Sequence, residues 1–294
     1  MRTAVTIGTA LMLSFTSLAG QTKMAAEDVA RLGVDLTPMG AIRAANEDGM
    51  IPEWTGEVVG LPQGLTWEGP GTPYPDPYAG EKPLFEITAQ NMAQYRERLS
   101  PGQVAMFETY PDTFRMPVYP SHREFGYAAS LYAKVRYNAE HTELYNNYEG
   151  IKHYVGHAAF PVPGNGPEVV WFTRTTGAFL IREGEYSDIA VFPNGTRSVR
   201  RSKFRQESPY ADRNNPLTPE YEYPKLGKYA GYIMTYVLEP PRDKGLITSI
   251  FEPYDYAENE REVWRYLPGS RRVRRAPTVG FDTPDGPGGL KTVD

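Results

Sequence analysis

Runs rich in hydrophobic residues, some of which alternate with polar ones, occupy much of the second half of the chain and are typical of β-strands. Such runs occupy residues 228–240, 246–253 and 262–268, and short turn-forming segments separate them. Another pair of runs, within 187–204, flanks Asn194-Gly195, which favours a type I′ hairpin turn. The spacing predicts a meander of antiparallel strands that curls into a barrel or half-barrel.

Helical segments are predicted to be few and short. The expected helices are 25–32, closed by Gly33; 89–99, capped by Thr88; 101–110, opened by Ser100-Pro101; and 167–176, capped by Asn165 and closed by Gly177. Residues 125–140 are rich in small and aromatic side chains, which favours strands. Residues 60–83 are dense in proline and glycine and predict an extended arm.

The run 228–240 is apolar on both of its faces, because Ile233 and Val237 alternate with larger apolar residues. A sheet with one face in water should alternate more cleanly, so we expect one face to pack on helices. Two interpretations of the other face stay open: a thick core, or an apolar ligand cavity between sheet and helices. The candidate cavity residues are Tyr232, Met234, Tyr236, Leu238, Trp264 and Tyr266.

A basic cluster follows the last of these runs. It lies directly behind the turn at Pro268-Gly269 and consists of Arg271, Arg272, Arg274 and Arg275. Alternation places arginines on both faces of the strand, with Arg272 and Arg274 together on one of them. Two interpretations stay open: protection of a sheet edge with a gain in solubility, or a basic rim that meets anionic lipid head groups or an acidic partner protein.

Charge and the N-terminal segment bear on location. Among 294 residues the net charge is −5 and there is no cysteine, so disulfides and thiolate sites are excluded. The segment MRTAVTIGTALMLSFTSLAGQT has a basic start, an apolar middle and small residues at Ser17 and Ala19, which predicts a secretory signal peptide at 1–19. A buried N-terminal helix is the alternative. We expect an exported periplasmic protein without a lipid anchor, and export and net acidity both argue against nucleic-acid binding.

Signatures of catalysis are sparse in this sequence. It contains no G-x-S-x-G, P-loop or G-x-G-x-x-G pattern. His153 and His157 could share a metal on a helix, but on a strand they would lie about 13 Å apart. Gly156 and its neighbours favour a strand or loop, so we predict no metal, no cofactor and no enzymatic activity. A lipid or polysaccharide hydrolase is kept as a third hypothesis.

Five longer segments resemble one bacterial family. They occur in the same order between about Arg31 and Asp294, and they are DLTPMGAIRAANEDGMIPEWTGE, AGEKPLFEITAQNMAQYRERLSPGQ, YPDTFRMPVYPSHR, FPVPGNGPE and WRYLPGSRRVRRAPTVGFDTP. The family consists of exported proteins of unknown function that are often labelled outer-membrane lipoprotein-sorting proteins. It is similar in fold to the lipoprotein carrier LolA and the receptor LolB, which is a likeness of fold and not of site.

The resemblance implies a mainly β (α+β) fold, a curved antiparallel half-barrel with a few helices on its concave face. It implies a Pro/Gly-rich arm at 20–86 and a half-barrel domain at 87–294. Since family members continue past the final GGLKTVD, it also implies that the half-barrel is incomplete at its C-terminus.

Two functions follow as expectations. The first is a soluble periplasmic carrier or chaperone that binds a lipid or another hydrophobic small molecule between the inner and outer membranes. The alternative is a non-catalytic adaptor that links an RND-type transporter to an outer-membrane channel-like protein, because the resemblance implies both of these as partners.

Overall fold

The computed structural model of the protein describes residues 23–69, 71–177, 179–276, 283–285 and 291–292, so the signal peptide predicted at 1–19 lies outside the described residues. Strands in the first half of the chain are short and form two-stranded pairs, β1 with β4, β2 with β3 and β5 with β6. They are β1 (Val58–Val59), β2 (Phe85–Ile87), β3 (Met116–Val118), β4 (Phe125–Gly126), β5 (Glu143–Tyr145) and β6 (Gly150–Lys152). Between β1 and β2 the described residues form no helix or strand, as predicted for 60–83.

The helices are also short. Those of the described chain are α1 (Ala26–Arg31), α2 (Pro101–Thr109), α3 (Ala129–His141) and α4 (Gly166–Thr175), with 3₁₀ helices at Met92–Arg98, Pro209–Ala211 and Pro219–Tyr221. The predictions of α1, α2 and α4 are confirmed, and side-chain caps from Ser100 and Asn165 begin the last two. The helix predicted at 89–99 is shorter and of the 3₁₀ type. No helix among the described residues is long and apolar enough to cross a membrane.

The strand prediction for 125–140 is wrong over most of its length, because α3 begins at Ala129. Alanine has the highest helix propensity, and it recurs here among aromatic residues, which favour strands. Val135 and Ala139 are four positions apart and both are buried, which is the spacing of one helix face. The helical period of 3.6 is therefore present in this segment, together with aromatic residues that favour strands.

A single six-stranded antiparallel sheet forms the second half of the fold. Its strands are β7 (Ile181–Val191), β8 (Arg197–Glu207), β9 (Tyr229–Glu239), β10 (Ile247–Pro253), β11 (Glu262–Leu267) and β12 (Arg272–Arg275). Their order in the sheet is the order of the sequence, which confirms the predicted meander. The sheet is open, with β7 and β12 as its outer strands. A small antiparallel pair follows, β13 (Pro284–Asp285) with β14 (Lys291–Thr292).

The hairpin β7–β8 is confirmed, but its turn differs from the predicted type I′. The strands end at Val191 and resume at Arg197, and the Gly195 N–H donates to the Phe192 carbonyl at 2.8 Å. Pro193 occupies the second position of this turn, where its fixed φ suits type I. Gly195 then takes a φ of 81°, whereas Asn194 is not in the left-handed region. The connection is therefore a five-residue loop.

The main hydrophobic core lies at one end of the sheet. It is rich in tyrosine, and the rings of Tyr154, Tyr210 and Tyr223 surround Tyr254, which directly follows β10. Ala230 is the member of this core that lies in a strand of the large sheet. Because the core draws so little from the sheet, most of the sheet surface is left for other contacts.

An irregular buried loop, residues 154–160, crosses this core and is held by helix α3. Asn138 lies on α3 with 1% of its surface exposed. Its Nδ2 donates to the carbonyls of residues 156, 157 and 158 at 2.9–3.2 Å, and its Oδ1 accepts the Val155 N–H at 3.0 Å. Lys134, one turn earlier, donates to the Val155 carbonyl. These side chains replace the backbone pairing that a buried loop lacks.

Candidate binding face of the sheet

The register of the sheet brings a set of large apolar side chains onto one face, which we call the aromatic face. One row across the strands runs through Met234, Ser249 and Trp264, and the next runs through Tyr236, Ile247 and Tyr266. Because side chains alternate between faces, both rows lie on the same side of the sheet. The aromatic face consists of Tyr229, Tyr232, Met234, Tyr236, Ile247, Phe251, Trp264, Tyr266 and Val273.

Large side chains of this face are open to solvent. Tyr232 is 37% exposed, Met234 44% and Val273 61%, and the remaining members are half-buried or exposed. On the opposite face, by contrast, Val237 and Val263 are buried. Contiguous exposed apolar surface of this kind marks an interaction site more often than scattered apolar residues do.

Three rings form the end of the aromatic face where β9 begins and β10 ends. The centroids of Tyr229, Tyr232 and Phe251 are 5.3–5.8 Å apart, at inclined angles that suit aromatic pairs. The Tyr229 hydroxyl donates to Glu262. Burial, with this hydrogen bond as the second cause, raises the pKa of Tyr229, and the same bond lowers the pKa of Glu262. The trio is thus fixed in place by a charged neighbour.

On the β8 side, charges that neutralise one another border the aromatic face. The Lys203 ammonium lies 3.3 Å from Glu185, and Arg201 lies 3.5 Å from Glu239. Arg205 pairs with carboxylates of both neighbouring positions, Glu183 and Glu207. This border is polar but carries little net charge.

On the β12 side, the border is basic. All four residues of β12 are exposed. Arg275 lies opposite Trp264 on the aromatic face and is 4.0 Å from Glu260. Arg274 lies opposite Arg265 on the other face. Within the described part of the chain, no carboxylate lies within 4.0 Å of Arg265, Arg271, Arg272 or Arg274.

The structure brings five of the six candidate cavity residues together. Tyr232, Met234, Tyr236, Trp264 and Tyr266 all belong to the aromatic face, where they form an open surface. Leu238 is the sixth, and a register shift leaves it without a partner in β8.

Sequence reasoning missed other members of the face. Ile247 and Phe251 lie two residues to either side of Ser249, on the same face, and could have been found by the same period of two. Tyr229 could not, since it reaches the face through a register shift between Glu252 and Pro253. Pairing irregularities of this kind have no signal in the alternation itself.

The two histidines of the HYVGH segment lie in the irregular loop and face different groups. The Nδ1 of His153 is 2.8 Å from the Oε2 of the buried Glu222, whereas His157 is buried and neither of its ring nitrogens has a hydrogen-bond partner in the described structure. Among the described residues, no group of three or more His, Asp or Glu side chains is placed to hold a metal ion. The loop interpretation of this segment is confirmed.

Fold and face together define a mainly β protein with an open antiparallel sheet, one face of which is aromatic and exposed. The model of a family described as "protein of unknown function (DUF1329)" matches residues 86–294. The chain belongs to this family.

One curated relative shows how far the likeness extends. Over 290 residues the chain is 36% identical to the uncharacterized protein PA3922 of Pseudomonas aeruginosa. The match covers 97% of this chain and 61% of that relative, so the chain spans less than two thirds of the relative's length. No solved structure matches the chain.

Proposed function

We propose that the protein binds an anionic amphiphile, a lipid-like molecule whose apolar chain lies on the aromatic face and whose head group meets Arg275 of β12. The observation that carries this proposal is the aromatic face itself, with Tyr232, Met234 and Val273 open to solvent. Its two borders differ, because Lys203 and Arg205 on the β8 side form close ion pairs, whereas Arg275 on the β12 side has its carboxylate partner, the exposed Glu260, only at 4.0 Å. An amphiphile with a negative head would therefore take one orientation.

The energetics suit a reversible carrier. Each methylene group that leaves water contributes about 0.8 kcal/mol, so contact with about eight of them supplies roughly 6 kcal/mol before the costs of ordering. Each arginine near an anionic head group adds about 1 kcal/mol. The sum of about 7 kcal/mol corresponds to a dissociation constant of roughly 10 µM before these costs and to a weaker one after them, which is weak enough for release.

The setting of this function is part of the same proposal. The signal peptide predicted from the sequence supports a periplasmic setting, in which the protein would act as a non-catalytic carrier or chaperone for cargo that moves between the two membranes. The six-stranded sheet would correspond to the sheet of LolA-like proteins, in which a curved half-barrel holds acyl chains. The open sheet and its exposed apolar face support this correspondence.

A second candidate function is the adaptor between an RND-type transporter and an outer-membrane channel-like protein. The fully exposed arginines of the outer strand β12 favour it, since such an edge suits an acidic protein partner. In that case the aromatic face would be covered by protein and would hold no amphiphile. Native mass spectrometry of protein purified from the periplasm separates the two, because only the carrier should retain lipid.

Trp264→Ala should weaken the binding of a fluorescent fatty-acid probe by about tenfold, because a large part of the contact area is lost. The free energy of unfolding should fall less than the 3–5 kcal/mol typical of a core tryptophan, since Trp264 is only half-buried. Trp67→Ala is the matched control, because Trp67 stacks on Tyr74 in the arm, away from the sheet. Equal probe affinity in the two variants would contradict the proposal.

Arg275→Glu and Arg274→Glu form a second matched pair, because these neighbours point to opposite faces of β12. Arg275→Glu should weaken the binding of dodecyl phosphate about fivefold at low salt, and less at high salt, whereas Arg274→Glu should change it less than twofold. Both variants should fold normally, since exposed charges change stability by less than about 0.5 kcal/mol. A similar loss in both would speak for a general charge effect and against the assigned orientation.

A further inference from the structure

A polar cleft of about 250 Å³ lies on the face of the sheet opposite to the aromatic face. It is bounded by the end of helix α4, by the first part of β7 and by the adjoining ends of β8, β9 and β10. Arg182, Gln206 and Ile233 form one row across three strands on this side. Successive residues of a strand point to opposite faces, so the side chains that line the cleft are not those of the aromatic face. The site therefore does not depend on the function proposed for the aromatic face.

Guanidinium groups outnumber carboxylates at the cleft. Glu252 is the acidic residue among those that line it. Its carboxylate is already engaged, since Arg261 binds it through two hydrogen bonds of 2.6 and 2.7 Å and Arg174 adds a third of 2.8 Å. Arg182 then brings a further positive charge. The cleft therefore has a positive balance, and both carboxylate oxygens of Glu252 already accept hydrogen bonds.

Arg182 is oriented without being neutralised. Its guanidinium lies 5.1 Å from the ring centroid of Phe204 and 5.9 Å from that of Phe179. In the described structure it has no ion-pair or hydrogen-bond partner. Aromatic rings that flank a guanidinium limit its rotation while its N–H groups stay available, which lowers the entropy lost when a ligand binds.

Other donors of the cleft are also available. The Gln206 amide and the Ser208 hydroxyl have no side-chain hydrogen bond within the described part of the chain, and Ser208 is 4% exposed. Both residues line the cleft, so a ligand or water can meet these polar groups there. Guanidinium, amide and hydroxyl groups together match an oxyanion, which accepts several hydrogen bonds at once.

We propose that this cleft binds a small molecule that carries an oxyanion group, a phosphate or a carboxylate, with Arg182 as its main anchor. The volume corresponds to about eight waters at ~30 Å³ each, which suits a small metabolite. Gln206 and Ser208 complete the contacts to the anion, and Glu252 acts through Arg174 by fixing its position.

Isothermal titration calorimetry on the full chain tests this proposal with two probes, sodium phosphate and sodium succinate, each with sodium chloride at matched ionic strength as reference. Saturable one-to-one binding of either probe is expected. Phosphate alone would identify a phosphate-bearing ligand, succinate alone a carboxylate, and both the shared oxyanion chemistry. If neither titration saturates, the proposal is overturned.

Variants make the assignment specific. Arg182→Ala should weaken the binding of the active probe by about tenfold or more, and Gln206→Ala by a smaller factor, because a charged donor contributes more than a neutral one. Arg213→Ala is the control, since Arg213 is an exposed arginine outside the cleft, and it should leave the affinity unchanged. Unchanged affinity in both Arg182→Ala and Gln206→Ala, or an equal loss in Arg213→Ala, would overturn the proposal. Because the test uses neither amphiphile nor aromatic face, its failure is distinguishable from failure of the carrier function.

Discussion

Asn138→Ala should lower the free energy of unfolding by about 3–5 kcal/mol, because it leaves several buried backbone groups without partners. Asn138 alone supplies four hydrogen bonds to the irregular loop, and three of them go to consecutive carbonyls. Water cannot replace these bonds readily, since residues 154–160 are all buried. Urea unfolding followed by circular dichroism gives the change directly.

Two further variants show that the effect comes from the hydrogen bonds. Asn138→Asp keeps the shape of the side chain but replaces the donor with a second acceptor, so it should destabilise the fold at least as much as alanine does. Asn214→Ala, at an exposed loop position, should change the free energy of unfolding by less than about 0.5 kcal/mol. A loss below about 1 kcal/mol for both Asn138 variants would show that the loop is held by other contacts.

Acidification should destabilise the protein through His157. Burial, and secondly the nearby charge of Lys134, lowers the pKa of His157 from the usual 6.5 to about 4. The unfolded chain therefore binds a proton between about pH 6.5 and 4 that the folded protein does not. The stability that His157 contributes is complete above about pH 6.5 and is lost as the pH falls towards 4, by about 3 kcal/mol in all.

His157→Asn should remove most of this dependence. Asparagine tolerates the left-handed backbone of residue 157, where φ is 65°. His153→Asn is a matched control, because residue 153 has a φ of 58° and the histidine is exposed. Stability of the three proteins between pH 4.5 and 7 should show a shallower slope for His157→Asn alone. An unchanged slope would mean that His157 is not the group that takes up the proton.

The sheet was predictable from the sequence because the pattern that indicates each strand lies within the strand itself. A period of two gave the meander, and with it the shared face of Tyr232, Met234 and Trp264. The same argument separated Arg274 from Arg275. Each strand can be predicted from its own pattern of residues and from the turn-forming residues at its two ends.

Two of the differences come from local signals that compete, and the others depend on contacts between distant segments. Helix α3 has helical spacing among aromatic residues that favour strands, whereas the role of Asn138 appears only when the loop at 154–160 is packed against it. The β7–β8 turn departs from type I′ because Pro193 fixes φ at its second position. The polar cleft joins residues from α4 and four strands, and no single segment contains its pattern.

The arginines at the edge of the sheet also give the molecule an uneven distribution of charge. The hairpin of β11 and β12 carries five arginines and one glutamate in a chain whose net charge is −5. A body with such a dipole turns in the field of an anionic bilayer once it is within about 10 Å of it at ordinary salt. The hairpin would lead, so the sheet would meet the membrane edge-on, with its aromatic rings standing beside the lipid surface instead of lying flat against it.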